Sequence, residues 1–204
     1  MNIGTDRKAE GTPSRAETHP SAARCPNFSE EEKGQQVPID SEHARAAFDA
    51  VLGAADYPVW LVTTASCGTR AGCLVGFGAQ LSIDPPRFVV GLSENNHTFR
   101  VAADAEYLAV HLPTDENAAL VRLFATETGD TTDKFARCEW TEGPHGLPIL
   151  SAVPYWFTGR ILARYDFGDH VGIVLEPTAG HAADPGRPAL RTSAIADLPP
   201  GHEA

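Results

Sequence analysis

The chain has 204 residues, 42% of them hydrophobic, and a formal net charge of −11. This length suits one domain with extensions, or two very small ones, with enough apolar material for a real core. The acidic balance argues against nucleic acid or an anionic membrane as the main partner, and the four cysteines (Cys25, Cys67, Cys73, Cys138), without a Cys-x-x-Cys pair, read as reduced thiols rather than disulfides or zinc ligands.

Residues 1–40 are rich in Pro, Ser, Thr, Glu and Lys, with few apolar positions. Such a segment buries too little surface to offset chain entropy, so an extended or disordered arm is expected. Ser41 can cap a first helix that carries Ala44, Ala47, Phe48, Val51 and Leu52 at near-helical spacing. Pro58 then opens a strand over 59–64, and Ser66 to Arg70 is a turn. A second strand is expected over 71–81 and a third over 87–92, separated by the rigid Asp84-Pro85-Pro86 corner. A short helix over 97–103, a strand over 107–112 and a helix over 116–126 come next. Residues 127–154 form a long polar connection, and 155–165 with 170–175 form a hairpin around Asp166-Phe167-Gly168-Asp169. The remainder, 181–204, is punctuated by Pro185, Pro188, Pro199 and Pro200 and reads as an irregular tail, leaving 41–180 as the folded unit. Several strands, few helices and no repeated strand–helix–strand rhythm predict a mainly β antiparallel barrel. No apolar run reaches the ~18 residues of a membrane span, and the first residues lack the apolar stretch of a secretory leader. A cytoplasmic protein is therefore expected.

The densest chemical signal is 72–98. Glycines at 72, 76 and 78 remove side chains where a flat group could approach the backbone. Gln80 and Ser82 come after them, then a donor-rich run of Ser93, Asn95, Asn96, His97 and Thr98. Arg87, His97, Arg100, Lys134 and Arg137 supply local positive charge despite the acidic whole. The same residues also suit a strand, a Pro-Pro turn and an Asn-rich helix cap. Gly168-Asp169-His170 likewise suits either an ordinary hairpin end or an imidazole presented at a turn. Cys73 reads as a small buried hydrophobe, Trp60, Trp140 and Trp156 as core or interface anchors, and the eight histidines show no metal-ligand spacing, so no metal is expected.

The ordered set of Gly72, Ser82-Ile83-Asp84-Pro85-Pro86, Arg87 to Leu92, His97-Thr98, Lys134-Phe135, Gly146-Leu147-Pro148 and Gly168-Asp169-His170 resembles the flavin reductase-like family, in a divergent, actinobacterial-type branch. The likeness covers about Ala54 to Leu175. It implies a split antiparallel β-barrel (the FMN-binding split barrel) with two or three flanking helices, usually homodimeric. By this resemblance Leu74, Val75, Gly76 and Phe77 lie along the flavin ring and ribityl chain, and Gln80, Leu81, Ser82, Asn96, His97 and Thr98 hold the phosphate end. Lys134 and Phe135 approach from beyond the second helix, and His170 is the catalytic residue beside flavin and nicotinamide. Many members place a small polar residue at the positions of Gly76 and Ala79. FMN is the expected cofactor, with FAD as the alternative and NAD(P)H as cosubstrate. The implied activity is an NAD(P)H:flavin oxidoreductase, with a flavin-dependent monooxygenase as partner. The alternative is a non-catalytic split-barrel protein that carries, senses or relays electrons through flavin, haem or deazaflavin.

Overall fold

A computed structural model describes residues 41–183, 186–199 and 201; the arm expected over 1–40 lies outside the described residues. The chain divides into two units, 1–45 and 46–204, and every strand among the described residues belongs to the second. Helix α1 (Ser41–Ala55) forms where its apolar spacing predicts. Phe48 and Val51 on it stay 59% and 65% exposed.

Strands β1 (Trp60–Ser66) and β2 (Thr69–Val75) form a hairpin whose two turn residues, Cys67 and Gly68, both have positive φ (49° and 77°). That geometry matches the right-handed strand twist, and Gly68 adopts it without steric cost. The strand expected over 71–81 breaks at Gly76-Phe77, and β3 (Gly78–Ser82) turns back to pair with β4 (Arg87–Ser93). Helix α2 (His97–Ala103), β5 (Tyr107–His111) and α3 (Ala118–Thr126) come next. A 3-10 turn at Asp115–Asn117 precedes α3, where the sequence suggests helix from Glu116. Short strands β6 (Trp140–Glu142) and β7 (Pro148–Leu150) pair within the region read as a connection. The hairpin strands β8 (Tyr155–Asp166) and β9 (His170–Ala182) are longer than the sequence indicates, especially β9.

One antiparallel sheet runs β2-β1-β5-β8-β9-β4-β3. Its two outermost strands are consecutive in the chain, and Phe77 O accepts from Gly91 N on β4 at 2.8 Å. The chain thus passes from one outermost strand to the other through Gly76-Phe77, the arrangement of a sheet rolled into a split barrel. Val62, Val75, Val90, Leu92, Leu108, Val110, Ile173 and Leu175 fill its interior. Alternate residues of β1 face a second cluster, in which Leu61 packs with Val121, Phe124, Phe135 and Leu150. Burial of β1 on both faces explains why it reads as a continuous apolar run rather than an alternating one.

Beyond the expected end of the folded unit, Leu190 is only 4% exposed and joins that second cluster. Its N–H donates to Pro113 O at 2.8 Å and its carbonyl accepts from Val59 N at 3.0 Å. A single leucine among prolines carries no periodic signal, which is why the sequence places this segment outside the fold. No helix among the described residues is long and apolar enough to cross a membrane.

Candidate functional site

Three segments meet around two neighbouring cavities: the end of β2, the start of α2, and the stretch 124–135 from the last turn of α3 onward. Asp133 organises the last. Its carboxylate accepts from Phe135 N (3.0 Å) and Ala136 N (3.3 Å), starting a 3-10 turn at Lys134–Arg137. This turn drives Lys134 inward, where it is 5% exposed. Its Nζ donates to Gly72 O at 3.0 Å and Phe124 O at 3.3 Å. Burial pulls the ammonium pKa down, opposed by Cys73 and Glu127. Gly72 is required here, since a Cβ would stand 2.6 Å from the Phe124 ring.

Lys134 separates two cavities. One, of about 230 Å³, is lined by Leu74, Asn96, Phe124, Thr128 and Lys134, together with residues of 195–201. The other, of about 350 Å³, lies against Gly72, His97, Asp130, Lys134 and Phe135. Asn96 caps α2, its Oδ1 accepting from Thr98 N at 2.8 Å. His97 Nδ1 lies 3.0 Å from Asp130 Oδ1, and Arg100 also reaches that carboxylate. The Arg100 guanidinium first, then His97, hold the Asp130 carboxyl down to about 2.

A third cavity, of about 360 Å³, lies on the outer face of β4 and β9, with Phe77, Val89, Gly91, Phe167, His170 and Gly172 around it. His170 opens β9 after a turn in which Gly168 has φ 116° and donates its N–H to Asp166 Oδ1 at 2.9 Å. The ring of His170 meets Phe77 edge-on, centroids 4.9 Å apart, and its Nδ1 is 2.9 Å from Asp169 Oδ1. That contact holds the Asp169 carboxyl below its usual range. Ser93 pairs with His170 in register and shares the strand face of Val89 and Gly91. Its buried hydroxyl has no hydrogen-bond partner among the described residues.

Of the residues singled out from the sequence, Leu74, Asn96 and Lys134 share the first cavity, and His97, Lys134 and Phe135 the second. Phe77 and His170 share the third. Gly76 lies between them with open space where a Cβ would point. Val75 turns its side chain into the barrel core. Thr98 is 1% exposed and packs by Cys73, where its hydroxyl and Asn96 partly offset the burial that pushes the Cys73 thiol up. Gln80, Leu81 and Ser82 are not brought to the Asn96 cluster. They lie opposite Phe88 and Arg87, separated from Ser93 by about five strand residues, or roughly 17 Å. Sequence reasoning missed Thr128, Asp130 and the 195–201 segment. A Thr- and Asp-rich run at 128–133 is the one signal that could have pointed there.

A closed antiparallel sheet flanked by short helices, with its cavities at the β2–β3 turn, defines the split-barrel class of flavin-binding folds. Residues 52–193 match the family described as the flavin reductase like domain, and the chain belongs to that family. It is 30% identical over 122 residues to stachydrine N-demethylase reductase subunit Stc3 of Rhizobium meliloti, a match covering 58% of this chain and 52% of that protein. The chain therefore spans about half the length of that relative. It is 28% identical over 190 residues to FMN reductase (NADH) RutF of Ancylobacter novellus, covering 91% of this chain and 96% of the relative. Among solved structures, a flavin reductase domain protein from Arthrobacter superposes with a TM-score of 0.62 at 27% identity, over 70% of this chain and 87% of that one.

Proposed function

We propose that the protein is an NAD(P)H-dependent flavin reductase that holds FMN across the Leu74–Asn96–Lys134 cavity and takes the nicotinamide beside His170. The observation that carries this reading is the convergence of Leu74, Asn96 and Lys134, from three separate segments, on one cavity, with Phe77, three positions along the chain from Leu74, meeting His170. The residues fit the group. An ammonium has three N–H donors, and the two carbonyls on Lys134 account for two of them. Open space above Gly76 admits a flat ring.

Bound FMN would supply the redox chemistry, as acceptor of hydride from the reduced nicotinamide. The protein supplies placement and charge. Asp169 fixes the His170 ring through Nδ1, directing Nε2 toward a ligand carbonyl or amide. The Lys134 ammonium favours the anionic portion of the ligand. Exposed Phe77, Leu81, Ile83, Tyr165 and Phe167 support association with a second copy. The name of the Rhizobium relative, a reductase subunit of a demethylase, supports delivery of reduced flavin to a partner monooxygenase.

The bare Gly76 favours a second reading, a flavin carrier without turnover, because a glycine offers the ring no side-chain hydrogen bond. One experiment separates the two: NADH and NADPH consumption with and without added FMN, beside a flavin titration. Consumption that requires both protein and FMN is expected. Tight flavin binding without consumption would leave only the carrier reading.

A further inference from the structure

The family match ends at residue 193, yet Ile195, Leu198, Pro199 and Gly201 beyond it line the cavity that holds Leu74, Asn96 and Lys134. We infer that this segment, through Ile195, Leu198, Pro199 and Gly201, is a retaining wall that slows flavin exchange. The inference rests on the reading that flavin occupies this cavity.

The segment is fastened at both ends. At its start, Thr192 N donates to Tyr57 O at 2.9 Å, and Asp56 Oδ1 accepts from Ser193 N at 2.9 Å and from the Thr192 hydroxyl at 3.2 Å. Arg191 Nη1 donates to Asp56 O at 2.6 Å. The Ser193 backbone bond is the main reason the Asp56 carboxyl sits below its usual range. A 3-10 turn over Thr192–Ile195 follows, and Leu198 N donates back to Ile195 O at 3.0 Å. At the far end, Gly201 N donates to Ala125 O at 2.9 Å. A Cβ on Gly201 would lie 3.1 Å from the backbone of Thr126 and Glu127, so the close approach to α3 favours glycine.

Between these anchors the segment presents apolar side chains to the cavity, opposite the ammonium of Lys134 and the amide of Asn96. The division of chemistry suits an amphipathic ligand: a flat apolar portion against Leu198 and Ile195, a charged portion toward Lys134. The cavity on the other side of Lys134 has no residue of the segment in its lining. A flavin seated against Leu74 and Lys134 would lie against Ile195, Leu198 and Pro199, so its exchange requires the segment to give way. A wall that must move for exchange lowers the rates of both binding and release.

The test uses full-length protein loaded with FMN, with release followed by recovery of free-FMN fluorescence after dilution. Deletion of 195–204 and the milder Leu198→Ser should each accelerate release, by about tenfold or more for the deletion. Val153→Ala is the control: it trims the adjoining buried cluster but lines no part of this cavity, and its release rate should match the parent. Unchanged release in Leu198→Ser and in the deletion, with FMN still bound, would overturn the wall while leaving the flavin reading intact. Failure of the parent protein to bind FMN at all would remove both, and is distinguished by the titration alone. Should the deletion not fold, Leu198→Ser decides the question.

Discussion

At the scale of single residues, the proposed site would divide its work between a buried cation and an imidazole held at a turn. His170 is fastened through Nδ1 to Asp169 and braced by the edge of Phe77, so its ring is oriented before any ligand arrives. Preorganisation of this kind acts on the step after cofactor binding. His170→Ala should lower kcat/KM for NADH by about 10- to 100-fold, or about 1.4–2.7 kcal/mol, with the FMN dissociation constant unmoved. Steady-state kinetics beside a flavin titration checks both halves, and unchanged turnover would remove the role. Lys134 differs, because its ammonium also satisfies the carbonyls of Gly72 and Phe124. Lys134→Met keeps the stem and removes the donors. Stranding buried acceptors costs roughly 1–3 kcal/mol of stability, read by denaturant unfolding. Because the lost group is a charge, affinity for FMN should fall more than affinity for riboflavin. Equal losses for the two ligands would show that Lys134 does not read the phosphate.

At the scale of elements, the β1–β2 hairpin shows how a local rule is met at a cost. Both turn residues sit at positive φ, yet the first is Cys67 rather than the Asn such turns prefer. Cys67→Asn should stabilise the protein by about 0.5–1 kcal/mol, seen as a higher denaturation midpoint with unchanged slope. A lower midpoint would mean that the exposed thiol makes a contact worth more than the turn strain. The turn itself was legible from Gly68 and the flanking strands, whereas its conformation was not, because cysteine carries no left-handed preference. The Asp84-Pro85-Pro86 corner and the short helix after Asn96 were legible for the same local reasons. The break at Gly76-Phe77 was not. There the chain leaves β2 and Phe77 O meets Gly91 N as the next rung of the β3–β4 pairing, a partner fourteen positions away that no periodicity reveals. The site shows the same division. Leu74, Asn96, Lys134 and His170, which line the candidate cavities, were named from an ordered set of motifs, whereas Asp130 and Leu198 take their places there only through tertiary contact. Thr98 marks the opposite limit: a hydroxyl in a donor-rich run that the fold places on the Cys73 side of the core.

At the scale of the whole molecule, His111 ties together parts of the fold that are far apart in sequence. It is fully buried on β5, with Nδ1 3.0 Å from Leu61 O on β1 and Nε2 accepting from Leu150 N on β7 at 3.1 Å. A carbonyl can only accept and an amide N–H can only donate, so the ring is neutral with its proton on Nδ1. Protonation at Nε2 would set two donors against each other and place a charge in an apolar core. Burial accordingly pushes the pKa from its ordinary 6.5 down to about 4, with the Leu61 carbonyl opposing slightly. Between those two values the unfolded chain binds a proton that the folded chain refuses, so stability is full above about pH 6.5 and is lost as pH falls toward 4. The total loss is about 3 kcal/mol. Paired carboxylates such as Asp130, Asp169 and Glu176, whose pKa values are also depressed, add their own loss only below their ordinary values near 3.8 to 4.5. The window from pH 6.5 to 5 therefore isolates the histidine from them. His111→Gln keeps a donor and an acceptor on one side chain but cannot titrate. It should be less stable than the parent at pH 7.5, yet lose less on acidification to pH 5, so that the two unfolding curves converge. Parallel decline of parent and variant across that window would place the acid sensitivity elsewhere in the fold.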